Sequence, residues 1–217
     1  MKLHLIWDMD GTLVDSEPEI LATIGKALQQ CGISIEAAQS PLRIGPPLPE
    51  MLRHSFSEEQ LDDHQIDEVI KHFRVIYDSS EFQETVPFEG IDEMIHSSDY
   101  VHHVITNKPD YATKRILEKK GWGDQFVDVF SPDSFVNEMG RKLNKTELFQ
   151  LFRTRYPDVH VVGIGDMAKD AACAKTIGIP AIGVLWGTGT KEELQNAGCD
   201  EIVSHAGELE EVLKKYY

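Results

Sequence analysis

Short, nearly continuous apolar runs recur along this chain, and helical patterns fill the gaps between them. The runs are Leu3–Trp7, Val101–Thr106, Phe126–Phe130, Val159–Gly163 and Ala181–Leu185, with Ile202–Ser204 as a sixth at an edge. A strand buried on both faces reads this way, because neither side meets water. The intervening segments carry apolar residues at helical spacing. Tyr111–Lys120 places Ala112, Ile116 and Leu117 on one face, and Lys145–Tyr156 places Leu148, Phe149, Leu151 and Phe152 inward. Lys169–Ile177, Lys191–Ala197 and Glu208–Tyr216 follow the same pattern. Strand alternating with helix predicts an α/β fold with a parallel sheet covered on both faces.

One stretch interrupts the alternation. Residues 16–86 contain no convincing strand, and Glu19–Cys31, Leu48–His54 and Ile66–Tyr77 read as helices. The segment reads as a helical insertion after the first strand, leaving 1–15 and 87–217 as the core. It carries thirteen acidic and five basic residues.

Charge removes several function classes. The whole chain has 37 acidic and 21 basic side chains, a formal net charge of −16. A nucleic-acid binder needs a basic face, and an anionic membrane repels an acidic chain. No apolar run approaches the roughly 20 residues of a spanning helix. Leu3–Trp7 meets Asp8 and Asp10 too early for a signal peptide. The three cysteines, Cys31, Cys173 and Cys199, have no metal-ligand spacing and read as reduced thiols. A cytoplasmic protein is expected, with neither nucleic acid nor membrane as partner.

Three motifs stand at the carboxyl ends of the predicted strands, where ligands sit in open α/β sheets. Asp8-Met9-Asp10-Gly11-Thr12 follows the first strand. Residues i and i+2 share a face on a continued strand, so one carboxylate can attack an electrophile while the other moves a proton. Gly11 lets the backbone turn and approach a ligand. Thr106-Asn107-Lys108-Pro109 follows the second, offering a hydroxyl and helix amides to phosphate oxygens. Gly163-Ile164-Gly165-Asp166-Met167-Ala168-Lys169-Asp170 follows a third. If a helix starts there, Asp166 and Asp170 share a side, and carboxylates so gathered need a cation, for which Mg²⁺ is the natural choice. Each motif read alone also suits an ordinary helix cap or turn.

In this order and at strand ends, the three motifs resemble the haloacid dehalogenase superfamily, in its phosphatase branch. Thr106-Asn107-Lys108-Pro109, Leu117–Trp122 before Phe126-Val127-Asp128, and Gly163–Asp166 resemble its phosphoglycolate phosphatase-like subgroup. The resemblance implies a Rossmann-like three-layer core over 1–15 and 87–217 and an all-helical cap over 16–86. It implies Mg²⁺-dependent hydrolysis of small phosphorylated metabolites through an aspartyl-phosphate, by a monomer or homodimer. Asp8 would attack phosphorus, and Asp10 would protonate the leaving alcohol and then activate water. Thr106 and the Asn107 amide would hold the phosphoryl group. Mg²⁺ would sit on Asp8, the Asp10 backbone carbonyl and Asp166, with Asp170 supporting it directly or through water.

The sequence departs from the family's commonest lysine pattern. Lys142 has no following proline, whereas Lys145 stands three residues before the apolar pair Leu148-Phe149. Lys145 is the favoured catalytic lysine and Lys142 the alternative. In the cap, Arg43, His54, Lys71, His72 and Arg74 are candidates for an anionic substrate tail, and Gly45 resembles a substrate-loop glycine. Gly11 is a further substrate-binding candidate. A sugar-phosphate mutase of the β-phosphoglucomutase kind or a pyrophosphatase would share these motifs, and a phospho-receiver module is the non-enzymatic alternative.

Overall fold

The computed structural model describes residues 2–97, 99–136 and 140–217. They form two compact units, one of residues 1–15 with 87–217 and one of residues 16–86. The larger unit is built on a six-stranded sheet of β1 (Leu3–Trp7), β4 (Tyr100–Ile105), β5 (Phe126–Phe130), β6 (Val161–Gly165), β7 (Ala181–Val184) and β8 (Glu201–Val203). The order across the sheet is β5-β4-β1-β6-β7-β8, and every pairing is parallel. β1 is thus central, with Leu5 opposite His102 on one side and Val162 on the other. Two short strands, β2 (Val14–Asp15) and β3 (Val86–Pro87), make a separate ribbon.

The helices of this unit are α4 (Ile91–Ile95), α5 (Asp110–Lys119), α6 (Lys145–Arg155), α7 (Ala168–Thr176), α8 (Lys191–Asn196) and α9 (Ala206–Leu213). α6 and α7 cover one sheet face. Leu148, Phe149, Phe152, Ala171 and Ala174 share a buried cluster there with Ile6, Ile105, Phe130 and Val161. The other face carries Trp7, His102, Tyr100 and Phe126, whose rings pack against one another, with the Tyr217 ring on Tyr100. Among the described residues no helix is long and apolar enough to cross a membrane.

In the unit of 16–86, α1 (Glu17–Gln30) packs against α3 (Asp63–Asp78), with α2 (Leu48–Ser55) between them in sequence. α1 buries Ile20, Ile24, Ala27 and Leu28, and α3 buries Ile66, Val69, Phe73 and Tyr77. These are the i, i+3, i+4 positions of one stripe on each helix. A capping box between Asp62 and Gln65 starts α3.

One strand differs from its expected position by more than a single residue. β6 runs Val161–Gly165, two residues beyond the expected Val159–Gly163. The strand runs on past Gly163 through Gly165, and both positions are glycine because neighbouring side chains press on them. A Cβ on Gly163 would lie 3.1 Å from the Ala174 methyl, and one on Gly165 would lie 2.3 Å from the Asp170 carboxylate. The short helix α4 was absent from the periodicity because it is little more than one turn.

The adjacent core histidines point to opposite faces, as alternation requires. Trp7 Nε1 donates to His102 Nδ1 at 3.0 Å, while His103 Nε2 meets His4 Nδ1 at 2.9 Å. Burial lowers His102 to a pKa of about 4, and burial with the charge of His4 lowers His103 to about 3. Both are therefore neutral when folded and take up protons more readily when unfolded, so their contribution to stability falls as pH drops from about 6.5 toward 4. Each contributes a slope of about 1.4 kcal/mol per pH unit in that window. Buried carboxylates with raised pKa act in the opposite sense, so the histidine share is read by difference. In urea unfolding from pH 6 to 4.5, His103→Leu should lose about one histidine's slope relative to the native chain. An unchanged slope would show that His103 does not resist protonation.

Candidate active site

The carboxyl ends of the three adjacent strands β4, β1 and β6 carry Thr106, Asp8 and Asp166 on the residue immediately following each strand. Backbone bonds hold these residues on the ladder: the Asp8 N–H donates to Ile164 O at 2.9 Å and the Thr106 N–H to Phe130 O at 3.1 Å. Asp170 comes from the first turn of α7 and Lys145 opens α6. Asn144 is the N-cap of α6 and closes a capping box with Glu147, which sets where Lys145 starts.

Lys145 ties the cluster together. Its ammonium lies 2.7 Å from Asp8 Oδ1 and 2.5 Å from Asp170 Oδ1, with the lysine side chain 3% exposed. Lys142 instead has an exposed side chain on the approach to α6. Of the two candidate lysines, Lys145 is the one brought to the carboxylates. Burial opposes charge on Lys145, but Asp170 and Asp8 outweigh it and raise its pKa. Burial pushes Asp8 up to about 6 against the downward pull of Lys145, and burial also raises Asp166 and Asp170.

Asp166 and Asp170 do converge, though not as neighbours on one helix. α7 begins at Ala168, so Asp166 projects from the strand end and Asp170 from the first helical turn. Asp170 also accepts the Met167 N–H at 3.0 Å. Asp166 is clamped from both sides. Thr12 Oγ1 donates to its Oδ1 at 3.2 Å, and the Thr188 N–H and hydroxyl donate to its Oδ2 at 2.8 and 3.0 Å.

The clamp needs glycine around it. A Cβ on Gly11, where φ is +81°, would lie 2.4 Å from Asp166 Oδ2, and one on Gly189 would lie 1.7 Å from the Asp166 carbonyl oxygen. Gly11 thus serves the approach of Asp166, a contact its assignment to substrate did not anticipate. Thr12, Thr188 and Gly189 were not singled out from sequence. The signal available was the string Gly187-Thr188-Gly189-Thr190, which follows the predicted strand Ala181–Leu185 at the same sheet edge.

Asp10 lies beside Lys108, whose ammonium is 2.7 Å from Asp10 Oδ1. Lys108 belongs to the Thr106-Asn107-Lys108-Pro109 motif, in which the sequence alone assigns it no role. The Thr106 hydroxyl accepts the Lys108 N–H at 3.1 Å. α5 offers less to an anion than expected, because the Asp110 N–H is already bonded to Asp133 Oδ1 at 2.8 Å. Asn107 is half-buried beside Thr106. Arg43 and Gly45 belong to the unit of 16–86, on the segment before α2; Arg43 is exposed and Gly45 has φ +129°. Lys71 pairs with Glu68 and Arg74 with Asp78 in that unit.

Oxygens of Asp8, Asp166 and Asp170 all lie within 4.8 Å of one another, and all three residues are buried. With Asp10, four carboxylates face two ammonium groups, leaving two negative charges in a desolvated place. Such an oxygen-rich set fits one hard divalent cation.

The family profile of the haloacid dehalogenase-like hydrolases matches residues 5–184, and the chain belongs to that family. A phosphoglycolate phosphatase of Xylella fastidiosa is 26% identical over 197 residues, covering 87% of this chain and 82% of its own length. A 5'-nucleotidase of Pseudomonas aeruginosa is 25% identical and covers 98% of this chain and 96% of its own. The crystal structure of a predicted phosphatase from Clostridium acetobutylicum superposes with a TM-score of 0.82 at 25% identity, covering 99% of each chain.

The two lysines make opposite predictions. Lys145→Ala should cut turnover of an aryl phosphate by about 10²-fold or more, the scale of losing a preorganised charge at a reacting centre. Lys142→Ala should stay within about twofold, as an exposed side chain away from the site would. Steady-state rates on both variants decide, and the reverse order would move the role to Lys142.

Proposed function

We propose that the chain is a Mg²⁺-dependent phosphomonoesterase that hydrolyses small phosphorylated metabolites through an aspartyl-phosphate on Asp8. The observation that carries this reading is the meeting of Asp8, Asp166, Asp170 and the Lys145 ammonium at the sheet edge, with a second carboxylate, Asp10, two residues after Asp8. In this reading the unit of 1–15 and 87–217 is the catalytic core. The unit of 16–86 is a cap that selects the substrate, with Arg43 and Gly45 as its contacts.

The residues divide the work by position. Asp8 is the nucleophile, and Lys145 beside it steadies the charge that moves between Asp8 and the transferring phosphoryl group. Asp10 gives a proton to the departing alcohol and then takes one from the water that frees Asp8. Thr106 and the Asn107 amide hold phosphoryl oxygens. Asp8, the Asp10 backbone carbonyl and Asp166 would bind Mg²⁺, with Asp170 in support directly or through water. Bound there, the ion supplies neutralisation of equatorial oxygen charge. The clamp of Thr12 and Thr188 on Asp166 keeps that carboxylate aimed before substrate arrives, as outer partners of metal ligands do.

The curated relatives support phosphate monoesters as the substrate class. They include phosphoglycolate phosphatases and a 5'-nucleotidase, and we favour a phosphoglycolate-like monoester. Phosphoryl transfer within a sugar phosphate and pyrophosphate cleavage are the competing chemistries. A panel of phosphoglycolate, nucleoside monophosphates, pyrophosphate and sugar phosphates separates them by whether inorganic phosphate is released.

Asp8→Asn should lower phosphate release by more than about 10³-fold while leaving the unfolding transition in place. Chelation of divalent metal should stop the native enzyme, and added Mg²⁺ should restore it. Activity that survives both treatments would refute the mechanism.

A further inference from the structure

We propose that Lys108 is a positioning residue that acts on the reaction through Asp10. The inference rests on the phosphatase reading above and extends it to a residue with no assigned part.

Lys108 is a buried lysine, 6% exposed, and its ammonium meets Asp10 Oδ1 at 2.7 Å. A buried ammonium is costly unless it is paired, so the pair holds both groups in place. The backbone around Lys108 is pinned as well. Its N–H donates to the Thr106 hydroxyl, and Thr113 Oγ1 donates to the carbonyl of the next residue, Pro109, at 2.9 Å. Pro109 disfavours helical backbone at Lys108, ahead of α5. The side chain therefore leaves a rigid base on β4's carboxyl end and reaches across to the loop that follows β1.

The two lysines serve different carboxylates. The charges that bear most on Asp8 are those of Lys145, Asp170 and Asp10. Lys145 contacts Asp8 and Asp170, whereas Lys108 contacts Asp10. Lys108 thus stands beside the second carboxylate, as Lys145 stands beside the nucleophile. A short aspartate on a loop has several rotamers, and proton transfer needs one of them held within hydrogen-bond reach of the departing oxygen. The Lys108 contact selects that rotamer. Its loss should therefore resemble a partial loss of Asp10 and should matter most where the leaving group needs a proton.

The test compares para-nitrophenyl phosphate, whose leaving group departs unaided, with phenyl phosphate, whose leaving group is poorer. Lys108→Met should lower kcat/KM for phenyl phosphate about tenfold more than for para-nitrophenyl phosphate, a modest share of a general acid's contribution. In an Asp10→Asn background the same substitution should add less than about twofold, because residues acting as one unit are not additive. Lys108→Arg, which keeps the cation if Lys108→Met fails to fold, should show a smaller bias in the same direction. Equal losses on both esters, or losses that multiply with Asp10→Asn, would overturn the inference while leaving the phosphatase reading intact. A native enzyme that hydrolyses neither ester would instead strike at the phosphatase reading itself.

Discussion

A single ammonium group, that of Lys145, holds the catalytic edge of this protein together. Three carboxylates, Asp8, Asp166 and Asp170, are drawn into one buried place, where their mutual repulsion and desolvation oppose folding. Lys145 contacts two of them directly. Its start at the head of α6 depends on the Asn144–Glu147 capping box, and its burial depends on Leu148, Phe149 and Phe152 seating α6 on the sheet. Core packing and site electrostatics are therefore one construction: the helix that covers the sheet face also delivers the cation.

Close approach is the second constraint. Gly165 admits the Asp170 carboxyl, while Gly11 and Gly189 admit Asp166. A side chain at Gly11 or Gly165 would press on a carboxylate of the cluster, and one at Gly189 would press on the Asp166 backbone carbonyl. The same crowding leaves room for the donors on Asp166, Thr12 and Thr188, so that this carboxylate's orientation is set by the protein. Residues that seem dispensable in a strand or loop are what allow four acids and two lysines to share one edge.

The architecture was largely legible in the sequence because buried parallel strands and amphipathic helices write themselves as local patterns. Asp8 and Asp166 were legible for the same reason, standing where an apolar run ends. The choice of Lys145 over Lys142 was a matter of resemblance, and geometry now separates the two by burial and contact. What was not legible arises from long-range approach. Thr188 finds Asp166 across 22 residues and Lys108 finds Asp10 across 98, and no periodicity encodes either pair. β6 was placed two residues early, ending at Gly163, because Gly165 has no apolar side chain to extend the run; it is a strand residue emptied of side chain to accommodate Asp170, as Gly163 accommodates Ala174.

The acidic balance of the chain also acquires a sharper meaning. A field of this sign hinders an anionic substrate in general, so under the proposed reading attraction would come from a few cations at the edge together with the divalent ion that the site would hold. The account stands on Asp8 as the group that takes the phosphoryl unit under the hand of Lys145. The most direct measurement is to quench the enzyme rapidly during turnover, reduce acyl-phosphates with borohydride and map the modified residue by mass spectrometry. The account predicts conversion of Asp8 and of no other side chain. Modification elsewhere, or sustained turnover with Asp8 unmodified at every quench time, would contradict it.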